Sequence, residues 1–111
     1  MIKVAIYKNA ENMITGFSLS GHADYAEYGS DVVCAAVSAL VINTINSIEN
    51  FTSDKFRLEQ DEKKGYIEFQ VVSDLSSNAS LLLNSLALGL HGIQEEYSEK
   101  YIRLSQEKHN N

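Results

Sequence analysis

Alternating apolar and polar residues predict that several segments of the chain are β-strands. The alternation is clearest near the start, where Ile2, Val4 and Ile6 fall on one side of a strand and polar residues fall largely on the other. A turn at residues 9–12 separates this strand from the next, in which Gly16 suggests a bulge. The predicted strands are residues 2–7, 13–20, 54–60 and 65–72, with a hairpin turn at 61–65 and a short final strand near residues 101–104.

Two longer segments have the period of amphipathic helices instead. The first is predicted from Ser30 to about Asn50, with Ser30 or Asp31 as its N-cap, and the second runs from about Ser77 to Tyr97. The order is therefore β-β-α-β-β-α-β. This order predicts a single α+β domain over residues 1–111, a two-layer structure with a mixed β-sheet and two helices on one face.

The second helix carries more apolar residues than one sheet can cover. We expect a loop or a second subunit to cover the surplus, and we predict a homodimer. Gly89 and Gly92 in this helix suggest close helix packing. The apolar residues of the helix are Leu81, Leu82, Leu83, Leu86, Leu88, Leu90 and Ile93.

Composition and charge narrow the class of protein. The chain is 44% hydrophobic and has a formal net charge of −6, which argues against direct binding to nucleic acid or to anionic membranes. A basic protein or peptide is a compatible partner. No signal peptide is apparent at the N-terminus, and no apolar run is expected to approach the length of a membrane span. We therefore expect a cytoplasmic protein whose single cysteine stays reduced.

The most informative chemistry lies around that cysteine, Cys34. In the predicted helix it falls within the first turn, where unpaired backbone N–H groups and the helix dipole stabilise an anion such as a thiolate. The same N–H groups could hold the oxyanion of a tetrahedral intermediate. Cys34 is thus a candidate nucleophile.

His22 is its candidate partner, in a polar, glycine-bracketed loop that is expected to fold back over the helix start. An imidazole there could take the thiol proton and later return it to a leaving amine. Asp31 and Ser38 share the helix face of Cys34. Asp31 could orient His22, but without a cationic His22 between them its charge would disfavour the thiolate.

Spacing alone favours structural roles for each of these residues over a catalytic pair. Cys34 could be a small buried apolar residue, His22 a solvated loop residue, Asp31 a helix cap and Ser38 a packing residue. Two other function classes stay open: a binding module for basic partners with a packed Cys34, and a thioesterase or deamidase that uses the same pair. The remaining histidines, His91 and His109, give no zinc-binding spacing, so no metal or other cofactor is expected.

The motif as a whole resembles a known family. Gly-His-Ala at residues 21–23, followed by Gly-Ser-Asp-Val-Val-Cys-Ala-Ala-Val-Ser at residues 29–38, is similar to the signature of the ribosomal-processing cysteine protease family, Prp. The resemblance extends over the whole chain. One departure is Ser98, where many relatives are expected to have proline.

This resemblance implies a cytoplasmic cysteine endopeptidase, without a cofactor, that removes the N-terminal extension of large-subunit ribosomal protein bL27 after a Phe-containing motif. It assigns the nucleophile to Cys34 and the base to His22. Gly21, Asp31 and Ser38 match family positions with supporting or substrate-loop roles. It also implies a homodimer and a mobile loop at about residues 22–30.

Overall fold

Five strands form one mixed β-sheet, and two helices pack on the face of that sheet where the core lies. The computed structural model describes residues 1–21, 28–98 and 100–108, and the side chains of residues 28–31 lie outside the description. The predicted element order is confirmed. The elements are β1 (Ile2–Lys8), β2 (Ile14–Ser20), α1 (Tyr28–Phe51), β3 (Phe56–Asp61), β4 (Tyr66–Val71), α2 (Ser77–Tyr97) and β5 (Ile102–Lys108).

The strand order across the sheet is β3-β4-β2-β1-β5. Strand β1 pairs with β5 in parallel, and the remaining pairs are antiparallel. The predicted alternation places Phe17 and Phe69 on the core side, where both are fully buried and their rings stack with centroids 5.3 Å apart. In the strand order, β4 and β3 lie on one side of the central strand β2, and they form a hairpin at the edge of the sheet.

The bulge suggested by Gly16 is present in β2. The pairing with β1 shifts by one residue between Tyr7 and Lys8, directly opposite Gly16 and its neighbour. A Cβ atom at Gly16 would overlap the carbonyl oxygen of Phe69 on β4. Glycine is therefore required here because two backbones approach closely.

Glycine also allows the two helices to pack closely. A Cβ atom at Gly89 of α2 would lie 2.8 Å from Cδ1 of Leu40 on α1, so this glycine marks a close contact between the helices. Within the part of the chain that the structure describes, no atom lies within 4 Å of such a Cβ at Gly92, so the predicted close packing of this glycine within the chain is wrong. The surplus apolar surface of α2 is real, since Leu81 and Leu88 are 68% and 76% exposed.

Helix α1 begins earlier than predicted, at Tyr28. Neither Ser30 nor Asp31 is therefore its N-cap, and Cys34 is the seventh residue of the helix instead of lying in its first turn. The apolar period begins at Val33, which is buried, whereas the backbone is already helical from Tyr28. The start of the apolar period and the start of the helix are thus different positions in this chain, and the sequence pattern indicates only the first.

The length and composition of α1 bear on the expectation that no apolar run approaches the length of a membrane span. Val32–Phe51 is 20 residues long and contains a window of 18 residues with a mean hydropathy of 1.6, which is enough for a membrane-spanning helix by length and composition. The expectation that no segment approaches that length is therefore wrong. In the structure Val33, Val37 and Val41 of this segment are buried in the core against the sheet. A core helix meets the same two criteria.

Candidate active site

Helix α1 presents Cys34 and Ser38 on the same face, one turn apart, and Ile42 follows one turn later. Cys34 is a free thiol that is half-buried and packs against the edge of the core. Ser38 is exposed, and Ile42 is 51% exposed although it is large and apolar. The spacing of four residues places the three side chains in a row along the helix.

This row borders a cavity of about 310 Å³ between α1 and the edge of the sheet. The opposite wall is a row across three neighbouring strands, because Leu19 of β2 pairs with Ile67 of β4, which pairs with Gln60 of β3. The cavity is lined by Leu19, Gly21, Cys34, Ser38, Ile42, Gln60, Asp61, Glu62, Gly65, Tyr66 and Ile67. Two larger cavities, of about 460 and 440 Å³, have neither cysteine nor histidine among the described residues of their walls.

Gly21 fixes the direction of the chain at the rim of this cavity. Its φ is 95°, a conformation that residues with a side chain rarely adopt, and a Cβ atom here would overlap the carbonyl oxygen of Met1. Glycine is therefore needed for two independent reasons. The residue after it in the sequence is His22, the candidate base, which lies outside the described residues.

The β3–β4 hairpin that forms the opposite wall is held by its own polar groups. Oδ1 of Asp61 accepts hydrogen bonds from the backbone N–H groups of Lys63 and Lys64, at 3.1 and 3.3 Å, which closes the turn. The hydroxyl group of Tyr66 donates a 2.8 Å hydrogen bond to Glu68, and this bond raises the pKa of Tyr66 to about 12. The wall is therefore ordered by bonds within the sheet and turn.

The cavity has an acidic side. Asp61 and Glu62 both line it, and the Glu62 carboxylate has no hydrogen-bond or ion-pair partner among the described residues. An unpaired carboxylate at a cavity mouth favours cationic groups in the bound molecule. The site thus combines a thiol, apolar walls and a negative edge.

The structure brings together three of the five predicted site residues. Cys34, Ser38 and Gly21 line one cavity, whereas His22 and the side chain of Asp31 lie outside the description. The sequence analysis missed Ile42, which is off the buried stripe of α1, and it missed the hairpin wall. The signal for Ile42 was its position eight residues after Cys34, but strand pairing was needed to place the hairpin.

The start of α1 determines how far Cys34 lies from the backbone N–H groups of the first helical turn. Because Cys34 is the seventh residue of α1, its own N–H falls in the hydrogen-bonded part of the helix. The first turn of α1, residues 28–31, lies about 5–9 Å earlier along the helix axis. The predicted position of Cys34 in the first turn is therefore wrong, and the role of first-turn N–H groups as an oxyanion site stays a prediction.

The described part of the chain has no cluster of three or more His, Cys, Asp or Glu side chains that could hold a metal ion. His91, on α2, is exposed and is not among the residues that line the Cys34 cavity.

Comparisons with known proteins show the family to which the chain belongs. Residues 1–103 match the family model of the cysteine protease Prp. The ribosomal processing cysteine protease Prp of Staphylococcus aureus (strain Mu50 / ATCC 700699) is 37% identical over 105 residues, which cover 95% of this chain and 98% of that protein.

Solved structures of an S. aureus Prp share the fold. One, in complex with a substrate peptide, has a TM-score of 0.88, and another, with a covalently linked product peptide, has a TM-score of 0.86. Both are 36% identical, and each comparison covers 96% of this chain and 100% of the other. The chain is therefore a cysteine protease and belongs to the Prp family.

Proposed function

We propose that this protease removes the N-terminal extension of ribosomal protein bL27, with Cys34 as nucleophile and His22 as general base. The observation that carries the proposal is that Cys34, the single cysteine of the chain, lines an open cavity with Gly21, the residue before His22. A cysteine protease needs a thiol that substrate can reach, and this chain has one thiol. The relatives named as ribosomal processing proteases support a ribosomal substrate.

The proposed reaction is acyl transfer in two stages. His22 takes the proton from Sγ of Cys34, and the sulfur attacks the carbonyl carbon of the scissile peptide bond. As the C–N bond breaks, the imidazolium gives its proton to the leaving amine, and a thioester with Cys34 remains. Water, deprotonated by His22, then attacks the thioester carbonyl, the C–S bond breaks, and the proton returns to the thiol.

The charge of the chain supports a basic substrate. The net charge is −6, and Asp61 and Glu62 place acidic groups at the cavity itself. Complementary charge raises the rate of encounter between enzyme and substrate and disfavours partners of the same sign. Ribosomal proteins bind RNA through Lys and Arg side chains, so a segment of such a protein is a suitable basic substrate.

We extend the proposal to a cytoplasmic homodimer. The exposure of Leu81 and Leu88, seven residues apart on α2, supports an apolar contact with a second copy. The single free cysteine suits a reducing compartment. Sedimentation over a range of concentrations tests the dimer: a mass that stays at one chain at every concentration contradicts it.

The function is tested with the extended N-terminus of bL27 as substrate and mass spectrometry as readout. We expect one cleavage by the wild-type protein and none by Cys34→Ala. His22→Ala is expected to cleave at least roughly 100-fold more slowly, which is the low end of the effect of removing a general base. Absence of cleavage by the wild-type protein contradicts the substrate, and normal cleavage by Cys34→Ala contradicts the nucleophile.

A thiol-alkylation assay separates the ways in which the test could fail. If the peptide is not cut but Cys34 reacts rapidly, the thiol chemistry stands and bL27 is the wrong substrate. If Cys34 also reacts slowly, the catalytic role of Cys34 fails.

A further inference from the structure

Ile42 is an exposed apolar residue in the wall of the Cys34 cavity, where a bound molecule can contact it. It is 51% exposed, and it lines the cavity that Cys34 also lines. The apolar residues of the buried stripe of α1, such as Val41 and Ile45, are covered by the core. Covering an exposed isoleucine in the wall of this cavity with an apolar group removes apolar surface from water and therefore stabilises the bound molecule.

The sheet supplies matching apolar surface across the cavity. Leu19 and Ile67 are directly paired on neighbouring strands and both line the cavity. Gln60 continues the row on β3, the edge strand. The cavity is therefore apolar on the helix side at Ile42 and on the sheet side at Leu19 and Ile67, with its acidic residues at the hairpin turn.

The distance between Cys34 and Ile42 determines which part of a substrate this end of the cavity meets. Eight residues of α-helix span about 12 Å along the axis. An extended peptide rises about 3.3 Å per residue, so this span corresponds to three or four substrate residues. Ile42 is thus too far along the helix to contact mainly the residue at the scissile bond.

We propose that the Ile42 end of the cavity is a specificity site for a large apolar side chain three or four residues from the scissile bond. This inference rests on the proposed action of Cys34 on peptides. Leu19 and Ile67 form the opposite surface of the site. Selection at this distance makes the enzyme recognise a segment of sequence and not only the residues at the cleaved bond.

The test is cleavage of a randomised peptide library, with every cut identified by mass spectrometry. The wild-type protein is expected to prefer large apolar residues at one position three or four residues from the cut. In Ile42→Ala this preference is expected to fall about 10-fold, the scale of losing a few methylene contacts in an apolar site. Ile42→Leu is expected to keep it.

Two further variants make the test specific. Phe51→Ala removes a 72% exposed aromatic side chain from the same helix, outside the cavity wall, and is expected to leave the preference intact. Ile42→Lys is expected to change the preference at that position to Asp or Glu. Circular dichroism of each variant verifies that it is folded.

The outcomes separate this inference from the proposed function. If the wild-type profile has no preference three or four residues from the cut, or if Ile42→Ala keeps it unchanged, the specificity site is wrong while the peptidase stands. If the library is cut but the bL27 peptide is not, the substrate assignment fails, and the library still tests the preference three or four residues from the cut. If no peptide is cut, the peptidase function and the specificity site fail together.

Discussion

The hydroxyl group of Tyr66 donates a 2.8 Å hydrogen bond to Oε2 of Glu68, two residues along the same strand. Side chains two residues apart lie on the same face of a strand, so the pair forms as a direct result of strand geometry. Tyr7 on β1 donates to the same oxygen at 3.1 Å. The start of β4, in the hairpin that lines the cavity, is thereby linked through one carboxylate to β1, on the other side of the central strand.

The first prediction concerns the ionisation of Tyr66. Its hydrogen bond to Glu68, followed by burial, raises its pKa from 10.0 to about 12. In Glu68→Gln the carboxylate charge is lost, and we expect the pKa of Tyr66 to move back towards 10.0. A spectrophotometric titration of the phenolate measures this change, with Tyr66→Phe used to assign the signal.

The hydrogen bond between Tyr66 and Glu68 makes the free energy of unfolding decrease at high pH. Because the pKa of Tyr66 is raised on folding, the contribution of Tyr66 to the free energy of unfolding is fully present below its unfolded pKa of about 10. The contribution is lost as the pH rises through the folded value of about 12. We expect Glu68→Gln to lower the free energy of unfolding at neutral pH by about 1 kcal/mol, because the pair is partly exposed. An unchanged urea midpoint and an unchanged titration contradict this account.

Much of the fold follows from local patterns in the sequence. Alternation in β1 and β2 predicts both strands, and the stripe from Val33 to Ile48 predicts the buried face of α1. These patterns succeed because burial on one face imposes the period of the element on the sequence. They give no information on where a helix begins before its first apolar residue, which is why the predicted start of α1 is too late.

The site could be predicted on one wall only. Cys34 and Ser38 share a helix face at a spacing that any helix imposes, so the sequence places them together. The opposite wall depends on the pairing of β2 with β4, residues that are 48 apart in the chain at Leu19 and Ile67. Such long-range pairing is a property of the sheet as a whole, and no local pattern near Cys34 encodes it.

The second prediction uses the two glycines of α2. Gly92 lies in the helix with open space where a Cβ atom would stand, so Gly92→Ala is expected to raise the free energy of unfolding by about 0.5–1 kcal/mol, mainly through helix propensity. Gly89→Ala gains the same propensity but must displace the tip of the Leu40 side chain. We therefore expect it to gain less. Urea unfolding of both variants measures the difference, and a larger gain for Gly89→Ala contradicts the packing described for Leu40.

The third prediction concerns Gly21. Gly21→Ala places a side chain at φ 95° and against the Met1 carbonyl group, and we expect it to lower the free energy of unfolding by at least about 1–2 kcal/mol. Under the proposed mechanism it also lowers kcat/KM of the folded protein, because Gly21 sets the backbone direction that leads into His22.

Gly16→Ala is the matched control for Gly21→Ala. Its Cβ atom also overlaps a backbone carbonyl group, that of Phe69, but Gly16 does not line the Cys34 cavity. We expect Gly16→Ala to lower stability while the kcat/KM of its folded fraction stays near the wild-type value. The two effects are separated by measuring peptide cleavage at a temperature where both variants are folded. If Gly21→Ala cleaves as fast as Gly16→Ala under those conditions, Gly21 supports the fold alone and does not position the base.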